Sequence, residues 1–279
     1  MTTSTLRLPP RIARLPQLRQ IVRGGLAARG SISAGLATQR EGAAGNGLLN
    51  SLGAYWKLDE ASGDALDAHS NGLTMALSSG GGWPSAAGKI GTSRARAGGY
   101  FSRADDAYLS TGDVDFTLAA WVYFSNVDNT GIISKWSGGS NQREYLLFYN
   151  HTDHSPNQRM AFAVSSNGAT AVMADATDFG SISLSTWYLV IGWHDAVNNQ
   201  IGISVNDVAT VAAHTGGVYD STAATYLGAI DGVVYAIAGR LDEMAFWKSA
   251  AGLGGALSAA QRTALYNAGA GLPYASFTT

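Results

Sequence analysis

From residue 48 onward, short runs rich in aromatic, β-branched and other apolar residues alternate with polar or glycine-containing turns. Each run has the length of a strand, and the pairs between them, such as Asn167-Gly168 and Asp231-Gly232, are typical of tight turns. No helical segment separates consecutive runs, so the pattern predicts an antiparallel β-sandwich or barrel. The predicted strands are residues 54–58, 73–77, 100–103, 116–124, 131–136, 144–149, 160–165, 187–194, 200–205, 208–213, 225–230 and 239–247.

One helix is predicted near the C-terminus. Ser258 and Gln261 have the spacing of a capping box, in which each side chain satisfies a backbone N–H group of the other residue. The helix that starts there is expected to end at Gly269.

The tripeptide Leu-Asp-Glu occurs near both ends of the β-rich region, at residues 58–60 and 241–243. These acids are either the catalytic carboxylates of an enzyme, or they belong to two neighbouring strands of one sheet and lie at its edge. Alternation along the first strand places Trp56 on the face opposite Tyr55 and Lys57. In the second interpretation, one acid of each tripeptide leaves the core at the edge of the sheet.

Charge divides the chain into two parts. Residues 1–47 carry seven arginines, one acid and no lysine, Trp, Tyr or Phe, which gives a net charge of +6. The remaining 232 residues carry 11 basic and 19 acidic side chains, a net charge of −8. A segment without aromatic residues and interrupted by prolines cannot build a core of its own. We therefore predict a basic arm and linker over residues 1–47, and one β domain over residues 48–279.

Three interpretations of the basic arm are open: a disordered tail, an organelle transit peptide, or an extended arm that docks on a partner. A secretion signal is not expected, because Arg29 interrupts the candidate apolar stretch. In the docking interpretation, which we favour, arginine forks bind carboxylates and the Leu and Ile side chains enter apolar pockets. The predicted docking residues are Arg7, Leu8, Arg11, Ile12, Arg14, Leu15, Arg19, Ile21 and Arg23.

The amino-acid composition limits which classes of protein and partner are expected. A hydrophobic content of 46% suffices for a real core, and no run of apolar residues is long enough to predict a membrane span. The chain has no cysteine, so neither disulfides nor thiolate metal sites are available. Nucleic acid is not an expected partner, because the basic arm has no aromatic residue on which a base could stack.

Several motifs follow one another in the order seen in a known family. They include YWKLDEASGDALDAHSNG, DFTLAAWVYF, STWYLVIGWHDAVNNQIGISVNDV, GRLDEMAFWKSA and LSAAQRTALYN. In this order the chain, from Tyr55 to Asn267, resembles the laminin-G-like domains of the concanavalin A-like lectin/glucanase superfamily. The resemblance implies an antiparallel jelly-roll sandwich with one short C-terminal helix. It also implies that the first and last strands of the domain are neighbours in one sheet.

Members of this family often hold a calcium ion near that corner. The resemblance thus implies a structural calcium held by Asp59, Asp242 and groups around Asn71 and Gly72, because calcium prefers oxygen ligands. In the alternative, Asp59 and Asp242 pair with Lys57, Arg240 or turn amides.

Enzymatic activity is not expected. Glucanases of this fold carry three acids on one strand, whereas the nearest candidate here is the pair Asp113 and Asp115. Aromatic residues at loop ends are instead candidates for stacking on a sugar ring, with local packing as the alternative. These candidates are Trp83, Trp136, Tyr149 and Tyr219.

Three functions are compatible with the sequence. The first is a decoration protein on the surface of a virus particle, such as a bacteriophage, docked by its basic arm to a major capsid or tail protein or to further copies of itself. The second is a carbohydrate-binding adhesion module, on such a particle or on a bacterial cell surface, with a host glycan as ligand. The third, a glycoside hydrolase of the same fold, is disfavoured by the missing acids.

Overall fold

The computed structural model describes residues 45–150, 152, 154–232, 234–248 and 254–279. These residues form fifteen strands, one α-helix and two short 3-10 turns, Asn267–Gly269 and Tyr274–Ser276. The strands and the helix are β1 Leu52–Trp56, β2 Ala76–Leu77, β3 Ser85–Ala87, β4 Thr92–Ala95, β5 Phe101–Arg103, β6 Phe116–Phe124, β7 Thr130–Ser137, β8 Gln142–Asn150, β9 Arg159–Val164, β10 Val172–Asp175, β11 Trp187–Asp195, β12 Gln200–Val205, β13 Val208–Ala213, β14 Thr225–Leu227, β15 Gly239–Lys248 and α1 Ala259–Tyr266.

The strands form two antiparallel sheets. Sheet 1 has the order β13-β12-β11-β6-β15-β4-β3, and β1 also pairs with β15. Sheet 2 has the order β10-β9-β8-β7-β14-β5-β2. This is the predicted jelly-roll sandwich, and the first and last strands, β1 and β15, are neighbours as expected.

All twelve predicted strands overlap observed ones, and three observed strands were not predicted. Strand β3 has three residues, and β10 is a four-residue edge strand. Strand β4 carries Arg94, which is fully buried. Its guanidinium donates through Nη2 to Gly63 O at 2.9 Å and also bonds Trp83 O, and Nη1 lies 3.7 Å from Glu60 Oε2. Two backbone carbonyls and one carboxylate therefore compensate the buried charge.

The main core lies between the sheets and follows the period-two alternation of the strands. In β8, Tyr145, Leu147 and Tyr149 face this core, and Phe162 of β9 packs with them. Each large apolar side chain buried in this way contributes roughly 1.5–3 kcal/mol. The sandwich therefore has enough core to hold its loops in fixed positions.

The outer face of sheet 1 is covered by the C-terminal segment. Leu265 of α1 and Phe277 pack over Trp121, Leu189 and Trp247. The predicted capping box of Ser258 and Gln261 is present. Helix α1 ends at Tyr266 rather than at Gly269, because Asn267 takes the left-handed conformation at the C-cap.

The sequence predicts a boundary near Gly47 between the arm and linker and the sandwich. Asn46, on the linker side of it, already bonds to the C-terminal segment, donating through Nδ2 to Ser276 O at 2.8 Å. Among the described residues, no helix is long and apolar enough to cross a membrane.

Substitution of Gly202 tests the packing of sheet 1. The ring of Trp193 lies directly over Gly202, where a Cβ atom would stand 2.1 Å from the ring. Arg262 covers the ring at 4.0 Å, so the indole cannot move away freely. We expect Gly202→Ala to lower the free energy of unfolding by about 1–3 kcal/mol, measured by urea denaturation.

Gly139→Ala is the matched control, because Gly139 has open space around its Cβ position. Equal unfolding free energies for the two variants would show that the Trp193 contact does not constrain the sheet.

Candidate functional site

The outer face of sheet 2 is apolar where a solvated sheet face would be polar. Leu146 and Phe148 of β8 alternate with the core residues and point outward, beside Ala161 and Ala163 of β9. Outward positions of a sandwich strand are normally polar. These four side chains are 0–7% exposed, because neighbouring residues such as Ile230 pack over much of this face.

A groove of about 380 Å³ lies over this face. Its volume falls in the range of small-molecule sites, which are mostly apolar with a few polar groups. The residues that line it are Asn129, Trp136, Gly138, Gly139, Leu146, Phe148, His154, Met173, Ile230, Asp231, Val234 and Tyr235.

Trp136 forms one wall of the groove. It stands near the end of β7, and its side chain is 9% exposed. The guanidinium of Arg143 lies 5.9 Å from its ring centroid and donates to Gly138 O at 3.3 Å. These contacts fix the indole plane before any ligand arrives.

Tyr235 forms the exposed aromatic side of the groove, with 44% of its surface accessible. It follows the tight turn at Asp231 and Gly232, both of which have positive φ, as the Asp-Gly pair predicted. The turn is closed by Ile230 N donating to Val234 O at 2.8 Å. Tyr235 itself has φ of 47°, a conformation that is rare for an aromatic residue.

Polar groups stand at the rim of the groove. Ser137 Oγ donates to Asp231 Oδ2 at 2.7 Å, which orients that carboxylate. On the other side, His154 Nε2 lies 2.8 Å from Asp175 Oδ1. The arrangement combines aromatic surfaces with oriented hydrogen-bonding groups.

The structure brings only one of the four predicted sugar-stacking residues, Trp136, to this groove. Trp83 is 2% exposed and packs on Phe101 with 5.0 Å between ring centroids. Tyr149 is also 2% exposed, in the core. A sugar cannot reach either ring, so these two predictions are wrong. Tyr219 is half-buried against Gly168 and does not line the groove.

The repeated acidic tripeptides lie side by side, as the neighbouring-strand interpretation predicted. Glu243 N donates to Lys57 O at 3.3 Å. Asp242 Oδ2 accepts from Lys89 N at 2.6 Å and from Ile90 N at 3.0 Å, and Asp59 Oδ1 accepts from Thr92 N at 3.0 Å. The two aspartates thus hold one loop through its backbone amides.

The acids of β15 are buried, which corrects the expectation that one of them leaves the core at the sheet edge. A bulge between Asp242 and Ala245 breaks the alternation, and Glu243 takes φ of 46°. Asp242 is 0% and Glu243 6% exposed. The Tyr55 hydroxyl donates to Glu243 Oε2.

Burial raises the pKa values of both acids strongly. Burial raises the pKa of Asp242 to about 8, although the amides of Ile90 and Lys89 act in the opposite direction. Burial also raises the pKa of Glu243 to about 7, against the hydrogen bond from Tyr55. Burial and then Glu243 raise the pKa of the Tyr55 hydroxyl well above its ordinary value.

The predicted calcium ligands do not form one site. Asn71 donates to Gly53 O at 2.8 Å and lines a cavity with Lys248. Gly53 lies opposite Phe246 and Trp247 of β15, four to five residues from Asp242 and beyond the bulge. Among the described residues, no group of three or more His, Asp or Glu side chains is arranged to hold a metal. Asp242 Oδ1 is buried without a partner, but a single such oxygen falls short of calcium's ligand number. The three predicted residues therefore do not fit calcium as a set.

The carboxylates of Asp113 and Asp115 have different environments. Asp113 is 68% exposed, with Oδ1 at 4.0 Å from His194 Nε2. Asp115 Oδ1 accepts from Ala196 N at 2.9 Å and so fixes a turn.

The predicted docking residues, from Arg7 to Arg23, lie outside the described residues, so docking stays a prediction.

A family model described as the concanavalin A-like lectin/glucanases superfamily, of the laminin G type, matches residues 95–252, more than half of the chain. The chain belongs to this superfamily. The match confirms the resemblance noted in the sequence and agrees with the observed sandwich. The superfamily holds both lectins and glucanases, as its description states.

Solved structures agree on the fold. Domain 4 of AbnA, an extracellular GH43 arabinanase from Geobacillus stearothermophilus in complex with arabinotriose, matches with a TM-score of 0.56 and 18% identity, over 77% of this chain and 97% of that chain. The binding domain of Paraclostridial Mosquitocidal Protein 1 matches with a TM-score of 0.58 and 9% identity, over 78% and 52%. A Trypanosoma rangeli sialidase matches with a TM-score of 0.53 and 12% identity, over 79% and 33%. The chain thus spans about half of the mosquitocidal domain and a third of the sialidase. A comparison with curated proteins gave no match.

Sequence reasoning missed most of the groove, although a signal for it was present. The runs Glu144–Asn150 and Arg159–Val164 are apolar at both alternating positions rather than at one. A strand that is apolar on both faces must cover its outer face with something. That pattern identifies Leu146, Phe148, Ala161 and Ala163 as a second, outward surface.

The buried acids predict a pH dependence of stability. Their pKa values are higher in the folded chain than the ordinary values of unfolded carboxyls, so the folded chain keeps protons that the unfolded chain releases. The contribution of these acids to the free energy of unfolding is full below about pH 4 and is lost as the pH rises to about 8. Asp242→Asn should flatten this decline and stabilise the domain at pH 8–9, as measured by urea unfolding between pH 5 and 9.

Asp178→Asn, at an exposed carboxyl that accepts from the Thr210 hydroxyl, is the control and should follow the parent profile. Parallel profiles for the parent and Asp242→Asn would contradict the assignment of the decline to Asp242.

Proposed function

We propose that the sandwich is a carbohydrate-binding domain without catalytic activity, and that it binds a neutral oligosaccharide in the groove over sheet 2. The observation that carries the proposal is the apolar outer face of β8 and β9, with Trp136 on one side and the exposed ring of Tyr235 on the other.

The chemistry of the groove suits a sugar. Apolar faces of a sugar ring pack on aromatic faces such as those of Trp136 and Tyr235, and its hydroxyls bond to oriented polar groups. Asp231 at the rim accepts hydrogen bonds and is already oriented by Ser137. The Asp231 carboxylate would repel an acidic sugar. Arg143, the cation beside Trp136, already donates to backbone carbonyls. A neutral glycan fits these charges best.

Membership of the superfamily supports this proposal. A domain with the same fold has been solved in complex with arabinotriose. At 18% identity this likeness concerns the fold, so the ligand of this chain is inferred from its own groove.

The groove lining argues for binding rather than hydrolysis. Glycoside hydrolysis uses two carboxyl groups that flank the scissile bond. Among the described residues that line the groove, Asp231 is the one carboxylate. Attachment to a virus particle and a place on its surface remain predictions from residues 1–47, and the described residues do not bear on them.

A glycan array with the full chain, followed by calorimetry on the best neutral ligand, tests the proposal. Tyr235→Ala should weaken binding by about fivefold or more, because a residue that stacks on the ligand contributes more than about 1 kcal/mol. Tyr108→Ala is the matched control, since Tyr108 is 55% exposed and does not line the groove. No binding to any neutral glycan, or equal losses in both variants, would refute the groove as the site.

A further inference from the structure

Strand β13 is an unprotected edge of sheet 1. It has six residues, Val208–Ala213, and pairs with β12 on one side. Its sequence, VATVAA, contains no charge, proline or glycine. Natural edge strands usually carry such features, because an open edge invites pairing with another chain.

The backbone of β13 presents free hydrogen-bonding groups. Asn206 and Asp207 both have positive φ and form the two-residue turn that pairs Val205 with Val208. Alternation then directs the N–H and C=O groups of Ala209, Val211 and Ala213 away from β12. Among the described residues, no hydrogen bond is made by these three residues on the open side.

Three of the other edge strands are shorter, and the outer side of the five-residue β1 is already bonded by a loop, because Tyr55 N donates to Asp67 Oδ1 and Ala68 N donates to Tyr55 O. Strands β2, β3 and β10 have two, three and four residues. Strand β10 also ends in Asp175, which is paired with His154. Shortness, charge or loop contacts protect each of these edges, so β13 is the one long, uncharged edge in the described part of the chain whose outer backbone groups no loop bonds.

The side chains beside the open edge are small and apolar. Val211 is 55% exposed, and Ala209 and Ala213 are exposed on the same face. Ala212, on the opposite face, packs against the core. The surface is nearly symmetric about Val211, with an alanine two residues away on either side.

We propose that β13 pairs antiparallel with β13 of a second copy, about a two-fold axis at Val211. In this register Ala209 faces Ala213 of the second copy, and Val211 faces its own counterpart. The three pairs exchange six backbone hydrogen bonds and join the two copies of sheet 1 into one continuous sheet. A self-complementary patch of this kind is what a two-fold interface requires.

A second copy fits this edge better than the basic arm does. The arm carries arginines, whereas β13 has no carboxylate within its six residues. The two carboxylates beside the strand, Asp207 and Asp178, already accept from the hydroxyls of Thr263 and Thr210. Three prolines interrupt the arm, and each lacks the N–H that a sheet edge bonds.

Sedimentation velocity of the full chain from about 1 to 100 µM tests the proposal, which does not depend on carbohydrate binding. The parent should form a dimer. Val211→Lys places two like charges opposite each other at the axis and should raise the dimer dissociation constant at least tenfold. Val197→Lys changes a valine that is 79% exposed in a turn and should leave the dimer intact.

Cysteine substitution gives a second readout that does not require a disruptive variant. The chain has no cysteine, so Val211→Cys would carry a single thiol. Facing residues of a hydrogen-bonded pair have Cα atoms about 5.5 Å apart, within reach of a disulfide. Val211→Cys should therefore cross-link rapidly on oxidation, and Val197→Cys should not. A monomeric parent at 100 µM, or equal cross-linking of the two variants, would overturn the proposal.

Discussion

The sandwich depends on one strand that must pair with two different strands along the same edge. Strand β15 pairs with β6 along one side. On its other side it pairs with β4 at Arg240 and Leu241, and with β1 from Met244 to Trp247. The bulge between Asp242 and Ala245 separates these two stretches. It redirects the strand at the point where one partner ends and the next begins.

The bulge also places two carboxyl groups where water does not reach. Burying Asp242 is tolerated because two backbone amides from a neighbouring loop bond one of its oxygens. Glu243 is bonded by the Tyr55 hydroxyl. The cost of these buried acids and the strength of the loop attachment are therefore linked. A change at Asp242 alters the attachment of the loop as well as the charge, whereas a change at Glu243 alters the bond to Tyr55.

Much of the fold could be predicted from local pattern. The alternation of Trp56 with Tyr55 predicted the faces of β1 correctly, and the capping box at Ser258 predicted the start of α1. Strand β4 was not predictable, because the buried guanidinium of Arg94 is bonded by the carbonyls of Gly63 and Trp83, which lie outside the strand. The same limit applied to Asp242, whose partners lie more than 150 residues away in the chain.

The candidate site was less predictable than the fold. Trp136 stands at a strand end and was identified by its position. Trp83 has a similar loop context in the sequence, GGGWPS, yet its ring is buried against Phe101. Whether a tryptophan at a loop end lines the groove or is buried depends on which loop packs over which sheet. The periodicity of the strands does not predict that packing.

The sandwich starts and finishes at the same point on its surface. Leu49 N donates to Thr278 O at 3.0 Å, and Asn46 also bonds to Thr278. A pulling force applied through the two ends would therefore open these few bonds one after another, rather than shear a whole sheet at once. A domain whose ends are joined in this way is poorly suited to carry tension along its length.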